Sequence, residues 1–136
     1  MGRIAAIDFG MKRIGIAISD EGKKIAFPAQ TIPGGPKAVQ EVQKAFALKK
    51  IELILLGLPL LLSGKEGPMA EIVKRFAVEL EATLAIPIKF IDERFSSKVA
   101  DQSLRTMNLN RKERSERIDA TTATMILQAY LDELAT

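Results

Sequence analysis

A chain of 136 residues, 47% hydrophobic and carrying a net charge of +3, can bury one ordinary core and leans weakly toward an anionic partner. It contains no cysteine and no histidine, which excludes disulfides, zinc-thiolate centres, thiol nucleophiles and the commonest general base. Any catalysis must then rest on carboxylates, whose hard oxygens suit magnesium or manganese.

Ile4 to Phe9 is apolar on both faces of the pleat, as a central strand covered on two sides should be, and Asp8 falls near its end. A carboxylate there is costly to leave without a partner. Gly10 turns the chain past Lys12 and Arg13 into a second run, where Ile14, Ile16 and Ile18 alternate with small Gly15, Ala17 and Ser19. The two runs form a hairpin with Asp8 at its mouth. By itself Asp8 reads as a turn former, paired with Lys12 or Arg13 or bonded to backbone amides.

Lys24 to Ile32 reads as a third strand whose Pro28 suits an edge, and short connections make all three antiparallel. Gly34-Gly35-Pro36 breaks the chain and opens a helix at Pro36 that buries Val39, Val42, Phe46 and either Ala45 or Leu48, with Lys49 and Lys50 near its C-terminus. Ile51 to Gly57 is a nearly continuous apolar run reached through a helix, the mark of a buried strand parallel to an earlier one. From its carboxyl end leaves a loop, Leu58 to Pro68, on the edge where open α/β sheets hold ligands. Ile72, Val73, Phe76, Leu80 and Leu84 mark a helix from Pro68, and Ile86 to Ile91 a fifth strand that runs into Asp92, Glu93 and Arg94.

Two helices close the chain, one capped by Ser96 or Ser97 and running to Met107, the other running from Ser115 to Leu134. Between them Arg105, Arg111, Lys112, Arg114 and Arg117 face Glu113 and Glu116, a stretch that reads as a solvated charged surface or as a phosphate contact. Asp119 shares a helical face with Ala123, Ile126 and Tyr130, at offsets of four, seven and eleven, so an acid lies on or beside the stripe that meets the sheet. Its place in the first turns favours negative charge. A metal site shared with Asp8 supplies a second reason.

The order of elements predicts a mixed α/β sheet of five strands, the first three antiparallel, with helices on both faces, as one domain over 1–136. Apolar runs around Ile51 to Leu62 are broken by Gly57 and Pro59, and no secretory pattern opens the chain, so a soluble cytoplasmic protein without membrane contact is expected. Asp8, Asp92 or Glu93, and Asp119 are the candidate acids. Their convergence would be repulsive beside only Lys12, Arg13 and Arg94, and divalent cations resolve that repulsion. Two such ions roughly 4 Å apart activate a water and stabilise the leaving oxygen of a phosphodiester without histidine or cysteine.

Four blocks in order carry a family resemblance over nearly the whole chain: Asp8 to Asp20; Gly57-Leu58-Pro59 with Gly64 and Gly67-Pro68; Asp92 to Ser97; and Asp119 with Ala123, Ile126-Leu127-Gln128 and Tyr130-Leu131. Together they resemble the YqgF/RuvX family of small RNase H-like nucleases, known as Holliday junction resolvases or pre-16S ribosomal RNA nucleases. The resemblance implies an RNase H-like fold and a catalytic set of Asp8, an acid of the Asp92-Glu93 pair and Asp119, with Glu93 placed first and Asp92 its rival. It also implies Lys12, Arg13, Arg94, Ser96 and Ser97 at phosphate, and Arg111, Lys112 and Arg114 are added from the cation cluster. Leu61 and Ser63 depart from the polar residues expected in the loop after Gly57-Leu58-Pro59, and Thr121-Thr122 from small apolar ones after Asp119.

Expected ligands are two magnesium or manganese ions and a structured RNA or branched DNA, bound by a monomer or a homodimer. Six Phe, one Tyr and no Trp offer few stacking platforms, so backbone charge and shape should dominate recognition. Processing of the 16S ribosomal RNA 5′ end is the favoured activity, junction resolution the alternative, and a non-catalytic binding or ribosome-assembly role the third. The Asp-x-Gly hairpin also resembles the first phosphate segment of actin-like ATPases and sugar kinases, but those need two lobes and a glycine-rich adenosine segment that this length does not hold.

Overall fold

The computed structural model describes residues 2–92 and 111–135, with side chains over 2–92 and 122–135. Strands β1 (Arg3–Asp8), β2 (Arg13–Ser19) and β3 (Ala26–Pro33) are followed by α1 (Ala38–Phe46), β4 (Ile51–Leu58), α2 (Pro68–Leu84), β5 (Ile88–Asp92) and α3 (Arg111–Leu134). The strands lie in the order β3-β2-β1-β4-β5. β2 is antiparallel to β1 and β3, and β4 is parallel to β1 and β5. This is the mixed sheet expected from the sequence.

Strand alternation divides the core in two. Ala5, Ile7, Ile14, Ile16, Ile54 and Leu56 meet α1 and α2 through Val39, Val42, Phe46, Val73, Phe76 and Leu80. On the other face Ile4, Ala6, Ala17 and Leu55 meet Ala123, Ile126, Leu127 and Leu131 of α3. Ala6, Ala17 and Ala123 are small where helix and sheet touch, so α3 packs closely on the strands that flank Asp8.

β3 is an edge strand, as Pro28 requires, and its register with β2 shifts between Ile16 and Ala17, where Gln30 and Pro28 are the successive partners. β5 begins at Ile88, two residues later than the hydrophobic run, because Pro87 has no N–H to donate; its carbonyl still accepts the Ile54 N–H at 3.0 Å. Of the two residues left open for the buried side of α1, Ala45 packs against the core and Leu48 is exposed beyond the helix end at φ 65°. α3 already includes Arg111, ahead of the expected start near Ser115. Arg, Lys and Glu are strong helix formers, so Arg111, Lys112 and Arg114 belong to the helix and not to a connection before it. The expected helix from Ser96 or Ser97 to Met107 lies outside the described residues. Among the described residues, no helix is long and apolar enough to cross a membrane.

Candidate active site

Asp8 ends β1 with the parity of Ile4 and Ala6, so its side chain stands on the face that α3 covers. It is 8% exposed, one of three buried polar side chains among the described residues. Phe9, the next residue, takes the opposite face and holds the strand end down through a tilted ring contact with Phe76, 4.8 Å between centroids.

The neighbours of Asp8 are glycines. Gly15 is its cross-strand partner on β2. On β4 the register pairs Ile7 with Leu56, so the next step places Gly57 beside Asp8. Neither flanking position carries a side chain on the Asp8 face, which keeps both strands' contributions away from the carboxylate. Below it the turn is fixed by close approaches: a Cβ on Gly10 would lie 2.4 Å from the Arg13 carbonyl oxygen, and one on Gly34 would lie 2.3 Å from that of Met11. The Gly34 N–H donates to the Lys12 carbonyl at 2.9 Å, so the end of β3 buttresses the turn that presents Lys12 and Arg13.

Further along the same edge, Gly57 pairs with Ile91 and Leu58 with Asp92. Asp92 is therefore two strands from β1, about 10 Å across the sheet. It is exposed. Lys89 and Ile91 are turned toward α3, the Lys89 ammonium lying 5.0 Å from the Tyr130 ring centroid and Ile91 joining the cluster with Ala123 and Ile126. Asp92 has the opposite parity to both.

Two helices start on this edge. α1 follows the end of β3 and α2 follows the loop from β4, and neither receives a side-chain cap. Uncapped first-turn N–H groups and the helix dipole give both starts partial positive charge, which suits phosphate beside Lys12, Arg13 and Lys37.

Of the other expected residues, Glu93, Arg94, Ser96 and Ser97 lie outside the described residues. Asp119, Arg111, Lys112 and Arg114 lie within α3, but their side chains lie outside the described set. Among the described residues no group of three acids converges.

Two residues of α3 matter that the sequence did not assign. Gln128 accepts the Ala26 N–H through Oε1 and donates through Nε2 to the Lys24 carbonyl, each at 2.9 Å. It also donates to Asp132 Oδ1 at 2.9 Å. A glutamine one position after an apolar pair was the visible signal. Thr122 is fully buried, and its Oγ1 is the one buried side-chain polar atom without a hydrogen-bond partner among the described residues. It stands where a small apolar residue was expected.

The model of the family described as "RuvX: Holliday junction resolvase" matches residues 2–133. A Protochlamydia amoebophila protein named "Putative pre-16S rRNA nuclease" is 45% identical over 139 residues, covering 96% of this chain and 93% of its own. A Chloroflexus aurantiacus protein of the same name is 40% identical over 131 residues, covering 95% and 86%. In fold, the chain is similar to a Fowlpox virus resolvase solved with Holliday junction DNA, with a TM-score of 0.61, 12% identity and coverage of 98% and 99%. It is also similar to RuvC of T. thermophilus solved with a Holliday junction substrate, with a TM-score of 0.59, 14% identity and coverage of 100% and 98%.

Proposed function

The chain belongs to the RuvX family of Holliday junction resolvases, and from that membership we propose a metal-dependent nuclease that hydrolyses phosphodiester bonds in 5′-end processing of precursor 16S ribosomal RNA. The relatives' names support the RNA substrate. The observation that carries the chemistry is the placement of Asp8: a buried carboxylate at the edge of a central strand, between two positions that hold glycine.

We assign the catalytic set to Asp8, Glu93 and Asp119. Glu93 is placed ahead of Asp92 on the family resemblance, with Asp92 as its rival. Helix geometry supports Asp119. Gln128 bonds Ala26, which pairs with Ser19, and the Ser19 hydroxyl accepts the Ile4 N–H at 2.9 Å, so Gln128 is level with Ile4. Thr122 and Ala123 are fully buried and so lie over the sheet rather than beyond its edge; α3 therefore runs from the Asp8 end toward the Ile4 end. Four strand residues from Ile4 to Asp8 advance about 13 Å, and nine helical residues from Gln128 back to Asp119 advance about 13.5 Å. This puts the backbone of α3 at position 119 level with Asp8.

This donor set, all hard oxygen with neither imidazole nor thiolate anywhere in the chain, fits magnesium or manganese. Two bound ions would supply Lewis acidity at the attacking water and at the leaving oxygen. The chain's own groups do the rest. Asp8 holds its carboxylate in a fixed place, Gly15 and Gly57 leave the phosphate room to approach it, and Lys12, Arg13 and the starts of α1 and α2 attract the substrate backbone. Arg94, Ser96, Ser97, Arg111, Lys112 and Arg114 extend that contact. The reading is of one domain over 1–136 acting in the cytoplasm, as a monomer on RNA.

Junction resolution is the second reading, favoured by the family description, and it requires a homodimer for paired cuts. Incubating the protein and its Asp119→Asn variant with precursor ribosomal RNA and with a four-way DNA junction, each with magnesium or manganese, separates the readings. The nuclease proposal predicts RNA cleavage by the unaltered protein and none by the variant. Cleavage of the junction alone selects the second reading, and binding without cleavage of either removes both.

A further inference from the structure

At the opposite end of the sheet from Asp8 lies a groove of about 860 Å³, between the start of β1, the edge strand β3 and the chain that leaves α1. Its apolar lining includes Ile18, Phe27 and Leu48, and its charged lining is Arg3, Lys49 and Lys50 with one acid, Glu21. Phe27 is half exposed and Leu48 is fully exposed, with Ile25 half exposed nearby.

Leu48 is the informative residue. The turn that ends α1 bonds the Lys49 N–H to the Phe46 carbonyl at 3.0 Å and needs a left-handed residue at 48, where φ is 65°. Glycine adopts that conformation freely and leucine does not. Both the backbone strain and the solvated side chain disfavour leucine in the free protein, so the fold gives no reason for it. The rim has its own asymmetry. Arg3 is engaged with the Ser19 carbonyl at 3.0 Å and with Glu21 at 3.5 Å, whereas Lys49 and Lys50 take part in no ion pair among the described residues.

We propose that this groove docks an acidic segment of another protein that carries leucine or phenylalanine, with the apolar side chains seated against Phe27 and Leu48 and the carboxylates on Lys49 and Lys50. Charge selects the occupant. A second copy of this chain in a two-fold contact would bring Lys49 and Lys50 of both copies face to face. Nucleic acid would satisfy the cations and stack on Phe27, but gains nothing from the exposed Leu48, which offers neither charge nor a stacking face. Because the groove and Asp8 lie at opposite ends of the strands, a docked partner leaves the acidic edge open to substrate. The proposal does not depend on the nuclease reading.

The test uses a short synthetic amphipathic peptide built of Leu, Phe, Glu and Asp, with two controls, one with Lys for its acids and one with Ser for its apolar residues. Binding by fluorescence anisotropy should be about tenfold tighter for the acidic apolar peptide than for either control, with amide shifts confined to Phe27 and residues 48–50. Leu48→Gly should raise the melting temperature, weaken peptide binding about tenfold and leave nucleic-acid cleavage unchanged. Equal binding of the controls, shifts elsewhere, or a lower melting temperature for Leu48→Gly overturns the proposal. So does a dimer that Leu48→Gly dissolves, which gives the groove to a second copy, or displacement of the peptide by a ribosomal RNA oligonucleotide, which gives it to nucleic acid.

Discussion

At the scale of single residues, the account depends on where carboxylates stand and on what surrounds them. Asp8→Asn preserves size and parity while removing the charge, so the variant should fold normally and lose cleavage by about a thousandfold or more, as expected when a metal-holding carboxylate is lost. Cleavage assays beside circular dichroism check this. Glu93→Gln should behave the same way, whereas Asp92→Asn should retain most activity; the reverse order would exchange their roles. Thr122→Val removes a buried hydroxyl that lacks a partner and should stabilise the protein by about 1 kcal/mol, read from urea unfolding. Asp8 was legible as an acid at a strand end because the apolar run before it fixes the strand. Which face it takes was not, since a run apolar on both sides carries no alternation; only the contact of Ile4 and Ala6 with α3 settles it. The same gap left Glu93 ahead of Asp92 on the family resemblance alone, because the hydrophobic pattern of β5 gives no inward parity.

At the scale of elements, one tether sets the axial position of α3. Asp20 accepts the Lys24 and Ile25 N–H groups at 2.8 Å each and shapes the turn between β2 and β3. That turn in turn presents the Lys24 carbonyl and the Ala26 N–H to Gln128. Gln128→Ala should cost about 1 to 2 kcal/mol and let the helix slip along the sheet, so that cleavage needs more metal to reach half its maximum. The Ile25 N–H first, then that of Lys24, holds the Asp20 carboxyl below its ordinary value of 3.8. A group depressed on folding stabilises above its unfolded pKa and loses that contribution as pH falls through the folded one. Acid unfolding below pH about 4 should accordingly be less steep in Asp20→Asn than in the unaltered protein. The elements themselves were legible from periodicity and breakers. The extension of α3 back to Arg111 was not, because charged residues with high helix propensity look the same in a helix as in a solvated connection, and Gln128 was hidden because its partners lie more than 100 residues away.

At the scale of the whole molecule, the sheet has a working polarity. One edge gathers Asp8, the glycines beside it, two uncapped helix starts and the cations of the β1–β2 turn; the other carries an apolar groove with a basic rim. Neutralising Arg111, Lys112 and Arg114 should weaken nucleic-acid binding and flatten its salt dependence, the logarithmic slope falling by roughly two or three units. An unchanged slope would return those residues to ordinary surface. The order of blocks along the chain carried the family; the proposal that three distant acids meet at one edge rests on the fold, and on α3 above all. Manganese broadening of amide signals tests that meeting most directly. The account predicts broadening centred on Asp8, Gly15 and Gly57 that is lost alike in Asp8→Asn and Asp119→Asn. Broadening centred elsewhere, or unaltered in Asp119→Asn, would contradict it.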